Sequence, residues 1–335
     1  MNGAAGAATA TLRAEGVTVE FPAGGARRRR MVHAVDDVSI DLWPGEVTAV
    51  VGESGSGKST LARALCRLVA PKSGRLWLDG AEVPFATRRG ARTYRRDVQL
   101  ILQDPFSSLN PVHSIGYHLG RPLRIHDRGG PSIDEAVDAL LERVKLAPAA
   151  RFRDRLPHEL SGGQLQRVAI ARALAVGPRV LLADEPVSML DVSIRLGVLN
   201  LLDELCAQDR LAVLYVTHDI ASARYLASTV AVMYAGRIVE TGPAASVVDN
   251  PAHPYTQLLL AAAPDPDRQS SSQPVRTGAP PSLIDPPSGC RFHPRCPFAS
   301  RRCAEEVPPD VEVGAGQRAS CWNLGTVAVG GGVAR

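Results

Sequence analysis

Lysine is scarce in this chain: of its 38 lysine and arginine residues only three are lysine, Lys58, Lys72 and Lys145. Long apolar runs are missing too. No stretch approaches the ~20 apolar residues that span a bilayer, and the opening MNGAAGAATATL lacks the basic start and apolar centre of a secretory signal. A soluble or peripheral protein of the cytoplasm is therefore expected. Cysteine is sparse, six in 335 residues, too few for a disulfide scaffold, yet four of the six fall between Cys290 and Cys321. A net charge of +4 is too weak to make nucleic acid the expected partner, although phosphate ligands or an acidic membrane surface would suit it. What is present is a globular composition, 45% hydrophobic, enough for one large domain or two smaller ones.

Along the chain, TLRAEGVTVEF and VHAVDDVSIDL alternate as strands do, and PAGGARRRR between them reads as a hairpin loop with a solvated arginine run, Arg27 to Arg30. EVTAVVG is a short, β-branched buried strand that runs into glycines, and KSTLARALCRLV carries helical spacing up to a stop at Pro71. RVLLADEP and LAVLYVTHD read as two further buried strands, separated by a helix around IRLGVLNLLDELCAQ. This alternation predicts an α/β domain with a largely parallel sheet. The expected layout is a disordered start (1–9), a main domain (10–263) with an N-terminal antiparallel β subdomain and a helical subdomain at about 105–175, a Pro/Ser-rich linker (264–287), a compact cysteine module (288–323) and a disordered tail (324–335).

The placement of Lys58 explains why lysine was kept there. Gly52 to Ser59, GESGSGKS, satisfies G-x-x-x-x-G-K-[ST] after a buried strand and at the opening of a helix, the context in which that pattern marks a phosphate-binding loop. Successive N–H groups of such a loop turn toward phosphate oxygens, and the helix start adds its positive end. Gly52, Ser54, Gly55, Ser56, Gly57, Lys58, Ser59 and Thr60 are the expected contacts to a nucleoside triphosphate. Inside so tight a loop a compact ammonium on a flexible stem fits where a planar guanidinium would not. The Ser59 hydroxyl is placed to ligate Mg²⁺. Asp184 and Glu185 follow a buried strand, where adjacent carboxylates are costly unless a cation offsets one of them. Asp184 therefore suits the Mg²⁺ shell, and Glu185 suits orienting or deprotonating a water. His218, in VTHD at the end of the next strand, could hydrogen-bond the γ-phosphate.

With LSGGQ at Leu160–Gln164 ahead of a helix and upstream of LLADEP, residues 10 to 265 resemble the nucleotide-binding subunits of ABC transporters, a class of P-loop NTPase. The resemblance implies two ATPase domains facing head to tail, with Ser161, Gly162, Gly163, Gln164 and Asp191 reaching the nucleotide held by the partner. It implies that Gln103 links the Mg²⁺/water site to the membrane subunits and that Phe21 stacks on adenine. Met189 stands where many relatives have alanine. QDPFSSLNP (Gln103 to Pro111) and NPAHPYTQLLLAAAP (Asn250 to Pro264) look like the oligopeptide/dipeptide importer branch. Four cysteines spaced C-x5-C-x6-C-x17-C, Cys290, Cys296, Cys303 and Cys321, point in a reducing compartment to a metal centre more than to disulfides. Zinc and iron–sulfur both use four thiolates; the family resemblance implies a [4Fe–4S] cluster, with Zn²⁺ as the alternative. It further implies an ATPase on the cytoplasmic face of the membrane, powering peptide uptake. Its partners would be a second ATPase subunit, two permease chains and an extracytoplasmic peptide-binding protein, and no nucleic acid. An ABC-type ATPase acting on ribosomes or DNA would usually carry two nucleotide domains or a long coiled coil, and neither is in the sequence.

Overall fold

The computed structural model describes residues 9–23, 30–83, 88–262, 278–279 and 281–324. The expected disordered start, most of the arginine run, the bulk of the linker and the tail lie outside these residues. The two alternating segments at the start form a long antiparallel pair, β1 (Leu12–Ala23) and β2 (Arg30–Leu42), with Leu12 opposite Leu42 and Phe21 opposite Val32. β3 (Val47–Val51) is buried at all five positions. β4 (Ser73–Leu78) and β5 (Ala81–Glu82) complete a four-stranded antiparallel sheet in the order β2-β1-β4-β5.

β3 belongs to a second, larger sheet. β6 (Val98–Ile101), β7 (Val180–Asp184), β8 (Ala212–Thr217), β9 (Thr229–Tyr234), β10 (Arg237–Pro243), β11 (Asp310–Gly314) and β12 (Gln317–Ser320) join it in the order β11-β12-β10-β9-β3-β8-β7-β6. The pairs from β9 through β6 are parallel, and those from β9 outward are antiparallel. Successive strand residues point to opposite faces, and here the two faces feed two cores. Val47, Ala49 and Val51 pack with the helical half of the molecule, including Leu119, Leu165 and Leu202, whereas Val50 packs with Leu61, Leu65 and the antiparallel sheet residues Leu12, Val19 and Leu76. A continuous apolar strand is what burial on both sides demands.

Between β6 and β7 lie helices at Pro105–Ser108, Ile115–Ile125, Ile133–Arg143 and Gly162–Leu174. Serine side chains accept the orphan N–H groups at three of their starts, Ser114 from Tyr117, Ser132 from Glu135 and Ser161 from Gln164. Among the described residues no helix is long and apolar enough to cross a membrane.

Two features depart from the sequence expectation. The helix after the glycine loop spans Lys58–Leu65 and stops short of Pro71. Arg67 adopts φ 60°, and the Leu68 N–H bonds to the Arg63 carbonyl while the Arg67 N–H bonds to Ala64. That is a Schellman end, which usually takes glycine at the left-handed position. The cysteine segment, expected as a separate module beyond a linker, instead extends the main sheet: β12 pairs with β10, Ala319 opposite Glu240 and Arg318 opposite Thr241. Phe292 packs its ring 5.2 Å from Tyr234 and 5.5 Å from Tyr255. Phe292 is fully buried in the common core.

Glu240 secures this edge. Its buried carboxylate accepts the N–H groups of Ala252 (2.8 Å) and His253 (2.9 Å) and the amide of Gln317 (2.7 Å). Glu240→Ala would leave those donors without their acceptor, at a cost of about 3 kcal/mol. A lower thermal midpoint, with limited proteolysis releasing the segment after β10 first, is the expected result; an unchanged midpoint would contradict this reading of the joint.

Candidate functional site

The site sits where β3, β7 and β8 deliver their C-terminal ends, the place where parallel sheets bind ligands. β3 runs directly into Gly52, whose position a side chain could not occupy, since a Cβ there would lie 2.1 Å from the Met233 carbonyl oxygen. At Gly57 the backbone takes φ 106°, and a Cβ would lie 2.0 Å from the Ala34 carbonyl oxygen. These two contacts press the loop against β9 and β2. Lys58 then turns back into the loop, its ammonium donating to the carbonyls of Gly52 (2.8 Å) and Glu53 (2.9 Å). Burial pushes the Lys58 pKa down, and Glu185, Asp184 and Glu53 pull it back up. Ser54 and Gly55 are exposed at the crest, while the Ser56 hydroxyl is buried with no hydrogen-bond partner among the described residues.

Ser59, in the first helical turn with Thr60, donates its hydroxyl to Asp184 Oδ1 at 2.7 Å, across a separation of 125 residues. Asp184 is 1% exposed, and burial raises its pKa, with the Ser59 hydrogen bond and Arg63 acting against that rise. Glu185 leaves the strand at φ 47°, its N–H held by the Val216 carbonyl at 2.9 Å. That turn separates the two carboxylates: Asp184 faces Ser59, and Glu185 faces Gln103 and His218. Gln103 Nε2 donates to Glu185 Oε2 at 3.1 Å, and His218 Nδ1 is 3.3 Å from Glu185 Oε1. Ser188, which the sequence did not single out, donates to the Glu185 carbonyl at 3.0 Å and lies 3.4 Å from the Gln103 amide.

The other expected residues lie apart from this group. Ser161 and Gln164 form a reciprocal capping box, the Ser161 N–H on Gln164 Oε1 at 3.0 Å and the Gln164 N–H on Ser161 Oγ at 3.4 Å. Gly163 admits Ile194 so closely that a Cβ would be 2.4 Å from its Cγ2, and Gly162 abuts Leu190. These contacts hold the Ser161 helix start against Leu190 and Ile194, on either side of Asp191, which precedes the helix Val192–Asp209 and makes no side-chain cap bond. Among the described residues no hydrogen bond or ion pair joins this second group to the glycine loop. Phe21 stands on β1, 37% exposed, in the antiparallel sheet.

The sequence pattern missed what holds the loop from outside. The Tyr255 hydroxyl accepts the Glu53 N–H at 2.8 Å, and Arg295 grips the Glu53 carboxylate. The four clustered cysteines, Cys290, Cys296, Cys303 and Cys321, are all free thiols. The Cys290 N–H donates to the Cys303 carbonyl at 2.8 Å. Burial, reinforced by the neighbouring thiols, pushes up Cys290, Cys321 and Cys296, the last to about 11. Among the described residues no group of three His, Cys, Asp or Glu side chains is placed to hold a metal ion.

Comparison with known proteins decides the family. Residues 35–188 match the family described as ABC transporter, and residues 239–303 match the C-terminal region of oligopeptide/dipeptide transporters. A peptide ABC transporter ATP-binding protein of Sinorhizobium fredii, y4tS, is 43% identical over 93% of this chain and 89% of its own. The chain is an ABC transporter ATP-binding subunit. The di/tripeptide transport ATP-binding protein DppF of Pseudomonas aeruginosa is 46% identical to this ABC subunit over 83% of it and 86% of DppF. Escherichia coli GsiA, a glutathione import ATP-binding protein, is 48% identical over 77% of the subunit and 42% of its own length. Among solved structures, cbiO1 of Clostridium perfringens shares 28% identity at TM-score 0.63, covering 72% of the subunit and 91% of cbiO1. The dimeric ABC cassette MJ0796 shares 30% at TM-score 0.62, covering 70% and 98%. The C-terminal match begins inside β10, in keeping with the shared sheet.

Gly57→Ala tests the loop geometry of this ABC subunit. Its left-handed backbone and the Ala34 carbonyl both exclude a Cβ. Binding of a fluorescent ATP analogue is expected to fall at least about tenfold with the fold retained by circular dichroism; wild-type affinity would contradict the strain argument.

Proposed function

We propose that this subunit binds ATP at the Gly52–Thr60 loop, hydrolyses it, and thereby powers import of di- or oligopeptides. The observation that carries the reading is the Ser59–Asp184 contact beside Glu185, itself held between Gln103 and His218. Lys58 is the cation for the β- and γ-phosphates, and its bonds to Gly52 and Glu53 hold it in place until phosphate oxygens replace them. The buried Ser56 hydroxyl and the loop N–H groups supply further donors. Ser59 and Asp184, with Gln103 at the water side, are the residues that fit Mg²⁺, which when bound offsets phosphate charge. Glu185 holds the attacking water and accepts its proton, and His218 and Gln103 fix the carboxylate direction.

Ser161, Gly162, Gly163, Gln164 and Asp191 serve the nucleotide of a second ATPase subunit. One chain cannot aim both helix starts at a single γ-phosphate from opposite sides, and the separation of the two groups within this chain supports that division. Phe21 is the candidate for stacking on adenine. Membrane attachment is peripheral, on the cytoplasmic face, through two permease chains near Gln103, with an extracytoplasmic peptide-binding protein supplying cargo. The relatives named for peptide and glutathione transport support this assignment.

Cys290, Cys296, Cys303 and Cys321 together hold a [4Fe–4S] cluster. Four thiols in one small module, three of them raised in part by their neighbours, form a donor set that a positive centre would relieve.

Glu185→Gln keeps the side chain's shape and one acceptor oxygen and removes the base. Turnover is expected to fall by about 10²- to 10⁴-fold while ATP binding persists and the ATP-bound dimer accumulates on size exclusion; turnover near wild type would remove Glu185 from the reaction. Anaerobically purified protein is expected to be brown, with broad visible absorption lost in Cys296→Ser. Colourless protein with bound zinc would overturn the cluster.

A further inference from the structure

Glu53 occupies the second position of the phosphate loop, and every polar group it has is engaged. Its N–H donates to the Tyr255 hydroxyl at 2.8 Å, and its carbonyl accepts the Lys58 ammonium at 2.9 Å. Its carboxylate is forked by Arg295, Nη1 and Nη2 each donating at 2.9 Å. Arg295 lies 242 residues away in sequence, in the turn His293–Arg295 between Cys290 and Cys296. Its side chain is 6% exposed against 29% for Glu53. Nη1 also reaches the Tyr234 hydroxyl at 3.2 Å, and the guanidinium stands 5.6 Å from the Tyr234 ring and 5.9 Å from that of Phe292. Pro281 and Leu283 border the same loop, lining with Glu53, Ser54, Gly55 and Ser56 a small cavity of about 20 Å³.

A forked, half-buried pair of this kind differs from a solvated surface bridge, which holds little in place. Two consequences follow. The fork and the Tyr255 hydroxyl fix the direction of the Glu53 peptide, and with it the adjacent N–H groups that face phosphate. The guanidinium also neutralises a carboxylate one residue from those N–H groups, where an unpaired negative charge would repel a triphosphate.

We infer that Arg295 is a positioning residue for the phosphate loop: by gripping Glu53 it lets the C-terminal cysteine module set the affinity of the site for nucleoside triphosphate. The inference rests on the reading of the loop as the ATP site and does not depend on what the cysteines bind. In the full-length subunit, Arg295→Met is expected to raise KM for ATP and weaken binding of a fluorescent ATP analogue by about tenfold, the ordinary size of a coupling between sites. kcat is expected to stay within about twofold, because the Glu185 group is untouched. Adding Glu53→Gln removes the exposed charge, so the double variant is expected to recover part of the lost affinity; Arg295→Lys, which keeps the charge but not the fork, is expected to fall between Arg295→Met and wild type.

A KM for Arg295→Met equal to wild type would overturn the inference. So would an equal loss of affinity in the single and double variants, the mark of general damage. Should Arg295→Met fail to fold, Arg295→Lys keeps the charge and breaks the fork on Glu53. A rise in KM is then expected, and an unchanged KM overturns the inference. Wild-type turnover measured alongside tests the ATP reading separately.

Discussion

The constraint on which the rest of the molecule depends is a buried positive charge. Lys58 is almost fully enclosed, and desolvation works against its ammonium. The charge survives because two loop carbonyls accept from it and because Asp184, Glu185 and Glu53 lie near. Those acidic neighbours are then themselves in need of partners: Asp184 takes the Ser59 hydroxyl, Glu185 takes Gln103 and stands beside His218, and Glu53 takes Arg295. A polyphosphate with its divalent cation matches this array in sign and in placement. Each of these groups is held by a partner before ligand arrives, so its position is set in advance even where, as at Lys58, phosphate oxygens then take over from loop carbonyls.

The larger sheet makes this array possible. β3, β7 and β8 are apolar on both faces, one facing the antiparallel sheet and the loop helix, the other facing the helical half. Their register is therefore strongly specified, and their ends deliver the loop, the two carboxylates and His218 to one edge. The Ser161 helix start and Asp191 share a second surface, braced by Gly163 against Ile194. Two surfaces of complementary purpose on one chain are the physical basis for reading the working unit as a pair.

Much of the nucleotide site was legible because its signals are local. A β-branched run ending in glycines, Lys58 and Ser59 specifies strand, loop and helix in one continuous stretch, Val47 to Leu65, and Ser161 with Gln164 specifies its own cap. The helix end was misjudged because Arg67 takes a left-handed turn that composition does not advertise. The C-terminal segment was expected to stand apart because its anchors are distant in sequence: Arg295 to Glu53, Gln317 to Glu240, and Arg291 to Asp36. Contacts of that span leave no periodicity to read. Phe21 rests on family position alone, and its partly exposed place on β1 adds nothing to it.

The central claim is that the array around Lys58 is one half of a site and that turnover needs a second subunit to complete it. The most direct measurement is ATP turnover per chain as the subunit, with any natural partner held at equal concentration, is diluted through the range where sizing shows pairs giving way to monomers. The rate per chain should fall with the population of pairs and vanish in the monomer. A constant rate per chain in solutions that contain only monomers would contradict the account.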